Sequence, residues 1–245
     1  VVDAYTMTEA VKDGITVNLV YDGRAAKVML NQDKVRQIEE YYAQCELEGA
    51  NEHQVEESQK AVAKMEVIIG DPDRLRAVAE DFIKHYETRV AEGATVAGKA
   101  MFVCSNRNIA YDFYKIVKEL RPEWTEKKIC DDGVVLSEKD KKELKPMEKI
   151  KLVMTRNKDD EKDLFDMLGT KEDRKEFDRQ FKNPKSNFKI AIVVDMWLTG
   201  FDVPELDTIY IDKPIQQHTL IQTISRVNRV CEGKDKGLIV DYIGI

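Results

Sequence analysis

Residues 189–229 read KIAIVVDMWLTGFDVPELDTIYIDKPIQQHTLIQTISRVNR, and this stretch decides how the remainder of the chain is understood. Ile190, Ala191, Ile192, Val193 and Val194 form an unbroken apolar run, mostly β-branched, that ends at Asp195. Such a run fits a strand covered on both faces, as in a parallel sheet. A loop over 196–204 carries Gly200, Asp202 and Pro204 at two-residue spacing, and a second strand is predicted over 208–212. A helical pattern over 218–230 comes next. At 100° per residue, with Gln222 at zero, Arg226 falls at roughly 40° and Arg229 at roughly −20°. Leu220, Ile221, Ile224 and Val227 fall between roughly 140° and 260° on the same wheel. Gln222, Arg226 and Arg229 thus share a stripe opposite the apolar face. A solvated helix face looks like this. So does a phosphate-recognising element after a strand of an α/β sheet, because the guanidinium fork matches phosphate oxygens.

Upstream of this stretch the patterns are consistent with it. Residues 1–30 read as two short strands, 15–21 and 26–30, around Asp22-Gly23, a hairpin turn signal. Residues 31–92 are helical in pattern and rich in Glu, Lys, Gln and Ala. There Asp71-Pro72 supplies a cap and a first-turn proline for a helix whose Leu75, Val78, Ala79, Phe82 and Tyr86 share one face. No chemistry is legible in this segment, which reads as a scaffold or contact surface. After the glycine-bounded joint 93–98, a strand over 100–104 ends in Ser105-Asn106-Arg107, and a helix with Ala110, Phe113 and Val117 inward follows. Another strand, 151–155, ends in Thr155-Arg156-Asn157. Ligands of open α/β sheets collect at the carboxyl ends of strands, so these polar residues are candidates for phosphate contact. Asn106 serves equally well as a helix cap.

Residues 123–149 are charged and read as a long irregular insertion; a helix is predicted over 171–182 and a last strand over 237–242. Five apolar strands alternating with helices make an α/β fold with a mainly parallel sheet and helices on both faces. A hairpin and a helical segment precede it, giving three expected segments: 1–30, 31–92 and 93–245.

Composition narrows the function classes. With 42% hydrophobic and 35% charged residues and no apolar run of membrane-spanning length, the chain reads as a soluble protein with no membrane partner. Cys45, Cys104, Cys130 and Cys231 are far apart, and His53, His85 and His218 lack ligand spacing, so neither a disulfide framework nor a metal site is expected. Free thiols suit a reducing cytoplasm. The net charge of −7 is local: residues 1–92 hold 19 acidic and 11 basic side chains, residues 93–245 hold 27 and 28. A near-neutral core is compatible with a basic groove for nucleic acid. The first residue is Val1 rather than methionine, which reads as a piece of a longer protein.

The Gly-x-Asp-x-Pro loop followed by Gln-x-x-Ser-Arg-x-x-Arg resembles motifs V and VI of superfamily 2 helicases and translocases, which lie on the second of two RecA-like lobes. More narrowly, residues 195–202 (DMWLTGFD), 210–214 (YIDKP), 225–230 (SRVNRV) and 237–244 (GLIVDYIG) resemble the motor subunit of type I restriction enzymes. Ser225, where many helicases of the superfamily have Gly, and Asn228 agree with the restriction-subunit pattern.

The resemblance implies a RecA-like fold and a nucleotide held between two lobes. This lobe would supply Arg226 and Arg229, with Arg229 the arginine finger and Gln222 a supporting group. Gly200 would permit close backbone approach, with φ allowed to be positive. Asp202 would hold one of the arginines or contact the ribose, while also fitting a turn-stabilising role before Val203-Pro204. Ser105, Asn106, Arg107 and Thr199 would contact DNA phosphates, Thr155 and Arg156 join the DNA-binding candidates on the strand-end argument alone, and Trp197 reads as packing. ATP and Mg²⁺ are the implied cofactors, bound mainly by a first lobe. The implied partners are duplex DNA, the first lobe and nuclease domain of the parent chain, and modification and specificity subunits. No Gly-x-x-x-x-Gly-Lys-Ser/Thr loop and no Asp-Glu-x-His box occurs, so the chain alone is expected to hydrolyse no ATP. The alternatives are a lobe of another superfamily 2 DNA or RNA helicase, and a non-catalytic RecA-like docking domain.

Overall fold

The structure, a computed structural model, describes residues 7–24, 65–215 and 217–244. Six strands form one sheet: β1 (Asn18–Gly23), β2 (Ala100–Cys104), β3 (Ile150–Val153), β4 (Ile190–Val193), β5 (Thr208–Asp212) and β6 (Lys236–Asp241). Their order is β1-β6-β5-β2-β4-β3, and every pairing is parallel. The RecA-like α/β fold expected from the sequence is therefore present, with the sheet parallel throughout.

Strands β2 to β5 are buried at every position, which is why they read as mainly apolar runs. Alternate residues of β2 feed two cores. Ala100, Phe102 and Cys104 face one core with Leu75, Val78 and Phe82, while Met101 and Val103 face the other with Phe177, Phe181 and Val227. On the first face lie α2 (Pro72–Ala91) and α3 (Arg107–Leu120), after a short helix α1 (Met7–Lys12) early in the chain. Asp71 caps α2 by accepting from the Arg74 amide at 3.1 Å, with Pro72 in the first turn as the sequence indicates. Two further helices precede the other face, α4 (Glu138–Glu143) and α5 (Lys162–Leu168). α6 (Lys171–Lys182) spans the predicted range, starts at a capping box formed by Thr170 and Asp173, and contributes Phe177 and Phe181 to the second core.

Three expectations are corrected. Asp22 and Gly23 are not a hairpin turn: both lie inside β1, paired with Val240 and Asp241 of β6. The second hairpin strand, 26–30, and most of the 31–92 helical segment lie outside the described residues. The 123–149 insertion is not irregular throughout, since it holds a 3₁₀ turn (Pro122–Thr125), α4, and an antiparallel bridge between Lys128 and Met147. Finally, the helix expected over 218–230 is shorter. As α7 (Gln217–Ile224) it ends before Arg226, and residues 225–227 form a turn.

A candidate arginine site beside the Gly200 loop

That turn determines where the two arginines go. Val227 is fully buried in the second core and its carbonyl lies against Gly237 at the start of β6. Beyond it the Asn228 carbonyl accepts the Val17 amide at 2.8 Å, and Arg229 forms an antiparallel bridge with Thr16. The segment is thus fastened between β6 and the approach to β1. Arg226 and Arg229 share a site through this turn, and not through the helical stripe that their spacing suggests.

Both reach the loop after β4. Arg226 Nη1 donates to the Phe201 carbonyl at 2.8 Å and its Nε to the Gln222 carbonyl at 3.1 Å. Arg229 Nε lies 3.4 Å from Asp202 Oδ1, and both side chains are more than half exposed, at 52% and 62%. Burial and, second, the neighbouring Arg229 push the Arg226 guanidinium below its ordinary range, with Asp202 opposing. Guanidinium groups remain charged in proteins, so the site holds two cations against one carboxylate. An arriving anion would relieve their repulsion. An exposed pair such as Arg229–Asp202 contributes only about 0–1 kcal/mol, so Arg229 is readily available to a stronger acceptor. Gly200 has φ +67°, and an added Cβ there would meet nothing within 4 Å, so the loop faces open space at this point. Gln222 contributes its backbone carbonyl to Arg226 and to the Ser225 hydroxyl.

The other candidates lie elsewhere. Ser105 Oγ donates to the Asp212 carbonyl at 3.0 Å, and Asn106 caps α3 by accepting from the Ile109 amide at 2.9 Å. Arg107 donates to the Thr155 carbonyl and grips both Asp160 oxygens at 2.6 and 2.7 Å. Arg156 Cζ lies over Phe165, 4.2 Å from the ring centroid, with its Nε buried and unpartnered. Thr155 and Thr199 are exposed. These groups, Thr199 apart, follow the carboxyl ends of β2 and β3, whereas Arg229 is bridged to the approach to β1. The structure therefore unites Arg226, Arg229, Asp202 and the Gly200 loop; β4, which leads into that loop, lies between β2 and β3 in the sheet, but none of the hydrogen bonds of Ser105, Asn106 or Arg107 given above joins the arginine site.

Sequence reading missed one buried pair. Arg74 of α2 is 1% exposed and Asp212 is fully buried; they are joined at 2.5 and 3.1 Å, and Arg74 also reaches the carbonyls of Ile69 and Tyr242. Asp212 at the end of an apolar strand was a visible signal, but its partner lies 138 residues away. Among the described residues no three His, Cys, Asp or Glu side chains come together as a metal site. No described helix is long and apolar enough to cross a membrane.

The family model for type I restriction enzyme subunit R domain 3 matches residues 96–244, the span that carries both arginines and the loop they meet. The chain belongs to this family. As a subunit R domain it is 36% identical over 247 residues to the type I restriction enzyme HindI endonuclease subunit of Haemophilus influenzae, covering 100% of this chain and 21% of that protein. A protein of Methanocaldococcus jannaschii, described as the MjaIXP endonuclease subunit, is 36% identical over 246 residues with the same coverage. The domain thus spans about a fifth of the length of these relatives. Its fold also matches a solved fragment described as an HsdR subunit of a type I restriction enzyme from Vibrio vulnificus YJ016. The TM-score is 0.51 at 12% identity, over 96% of this chain and 34% of that one.

Proposed function

We propose that this subunit R domain is the second RecA-like lobe of an ATP-dependent DNA translocase within a type I restriction endonuclease. In this reading a triphosphate lies between it and a first lobe elsewhere in the parent chain. The observation that carries the reading is the convergence of Arg226 and Arg229 on the Gly200 loop, one cation braced by a backbone carbonyl and the other held only by an exposed carboxylate. Arg229 leaves Asp202 to stabilise charge on the phosphoryl group being transferred, and Arg226 supports it from a fixed position. The open space beside Gly200 accommodates the phosphates. Residues 93–245 supply five of the six strands and form the lobe proper, with β1 and α2 as flanking supports. Thr155, Arg156 and Thr199 are the freest candidates for duplex DNA phosphates, since Ser105, Asn106 and Arg107 are engaged internally. Mg²⁺ is held mainly by the first lobe, and the specificity subunit, a partner together with the modification subunit, selects the DNA.

The test is Arg229→Ala in the full-length subunit assembled with its partner subunits. DNA-stimulated ATP hydrolysis should fall about 10³-fold or more, the scale of an arginine finger, with translocation lost in parallel. Turnover at the wild-type rate would overturn the reading and favour a non-catalytic docking domain.

A further inference from the structure

We propose that Trp197 is a positioning residue for Arg226, acting through the ring and carbonyl of Phe201; this rests on the reading of Arg226 given above. Trp197 has φ +69°, and among the described residues it is the one non-glycine residue in the left-handed region. Leu198 N donates to the Asp195 carbonyl at 3.4 Å, closing a four-residue turn with Trp197 at its third position, where a left-handed backbone favours glycine. A bulky aromatic residue in such a conformation persists only where its surroundings over-determine it.

The surroundings here are aromatic. The Trp197 and Phe201 rings stack at 4.1 Å between centroids with 3° between planes, and Phe181 lies 5.3 Å from Trp197. Lys182 Nζ sits 5.0 Å from the Phe201 ring centroid. Phe201 is 4% exposed, so its ring is fixed, and its carbonyl is the acceptor of Arg226 Nη1. The strained turn orients the indole, the indole holds the Phe201 ring, and the same residue's carbonyl holds the guanidinium. Loss of the flat ring would leave Phe201 free to shift. A misplacement of about 1 Å at a catalytic group is enough for a large loss of rate.

The experiment uses the full-length subunit with its partner subunits and measures kcat and KM for ATP in DNA-stimulated hydrolysis. Trp197→Ala should lower kcat about tenfold or more while KM for ATP stays within about twofold, because the lost interaction matters in the transition state. Trp197→Phe, which restores a flat ring, should recover most of kcat. In an Arg226→Lys background, which keeps the cation but not the fork that grips the Phe201 carbonyl, Trp197→Ala should cost little more, since both changes remove the same alignment. Wild-type kcat in Trp197→Ala, no rescue by Phe, or fully additive losses would overturn the proposal. If Trp197→Ala does not fold, Trp197→Leu keeps the apolar bulk without the ring and carries the same expectations. Arg226→Ala separates the two claims. Full turnover there overturns the function reading itself, whereas an inactive Arg226→Ala beside a fully active Trp197→Ala overturns the role of Trp197 alone.

Discussion

At Gly237 the backbone of β6 passes so close to the turn after α7 that an added Cβ would lie 2.3 Å from the Val227 oxygen and 2.8 Å from its carbonyl carbon. Both atoms belong to the backbone, so neither can swing away. Gly237→Ala should push Val227 out of the core and displace the adjoining Arg226, costing about 1–3 kcal/mol as overpacking does. Urea unfolding of the chain measures this cost, and an unchanged midpoint would mean that the turn yields freely. Gly237 was legible as the start of a strand, but its reason for lacking a side chain was not, because Val227 approaches from another element. The arginines show the same division. Their identity and their kinship to the Gly200 loop were readable from spacing and motif, while the means of their convergence was not. Ile224 and Val227 keep helical spacing, yet the chain leaves the helix at Ile224 so that Val227 can pack against β6.

Elements are held together by polar contacts as well as by apolar packing. Arg74 fastens α2 to the end of β5 through Asp212 and to the segment after β6 through the Tyr242 carbonyl. A buried ion pair is weak evidence for net stability, but breaking one leaves an uncompensated charge. Arg74→Met should therefore destabilise the fold by about 3–5 kcal/mol, and adding Asp212→Leu should restore part of that loss. Denaturant midpoints of the single and double variants check both expectations, and a double variant weaker than the single would refute the second. Strands β2 to β5 were legible because they are buried at every position and carry mainly apolar residues, with Lys151, Thr208 and Asp212 as exceptions. β1 was expected as a strand over 15–21, but its Asp22-Gly23 end was misread as a turn. It is an edge strand with Asn18 and Asp22 partly in solvent, and its Asp-Gly pair imitates a turn. Pairing with β6 overrides that local preference.

The whole molecule should respond to acid through His85, which sits on α2 with Nδ1 2.9 Å from the Tyr210 hydroxyl. Burial, and then Arg24 and Arg89, lower its pKa to about 4, while Asp22 and Asp81 act in the other direction. An unfolded histidine titrates near ~6.5, so between these values the unfolded chain takes up a proton that the folded chain refuses. Stability from this group is present above pH ~6.5 and declines as pH falls toward the folded value. His85→Gln should flatten that part of the stability profile in urea melts across this window. A profile parallel to wild type would show that the imidazole is not protected from protonation.

One consequence concerns synthesis. β1 ends at Gly23, but its partner in the sheet, β6, begins only at Lys236. A nascent chain must therefore carry β1 unpaired until nearly all of the domain has left the ribosome, and the loop closed by that pairing is more than two hundred residues long. During that wait β1 presents Val20 and Tyr21, which stay exposed even in the folded domain, between the polar residues Asn18 and Asp22. The same pairing makes the register of β1 a late event in folding, completed only when the strand that follows the arginine turn is in place.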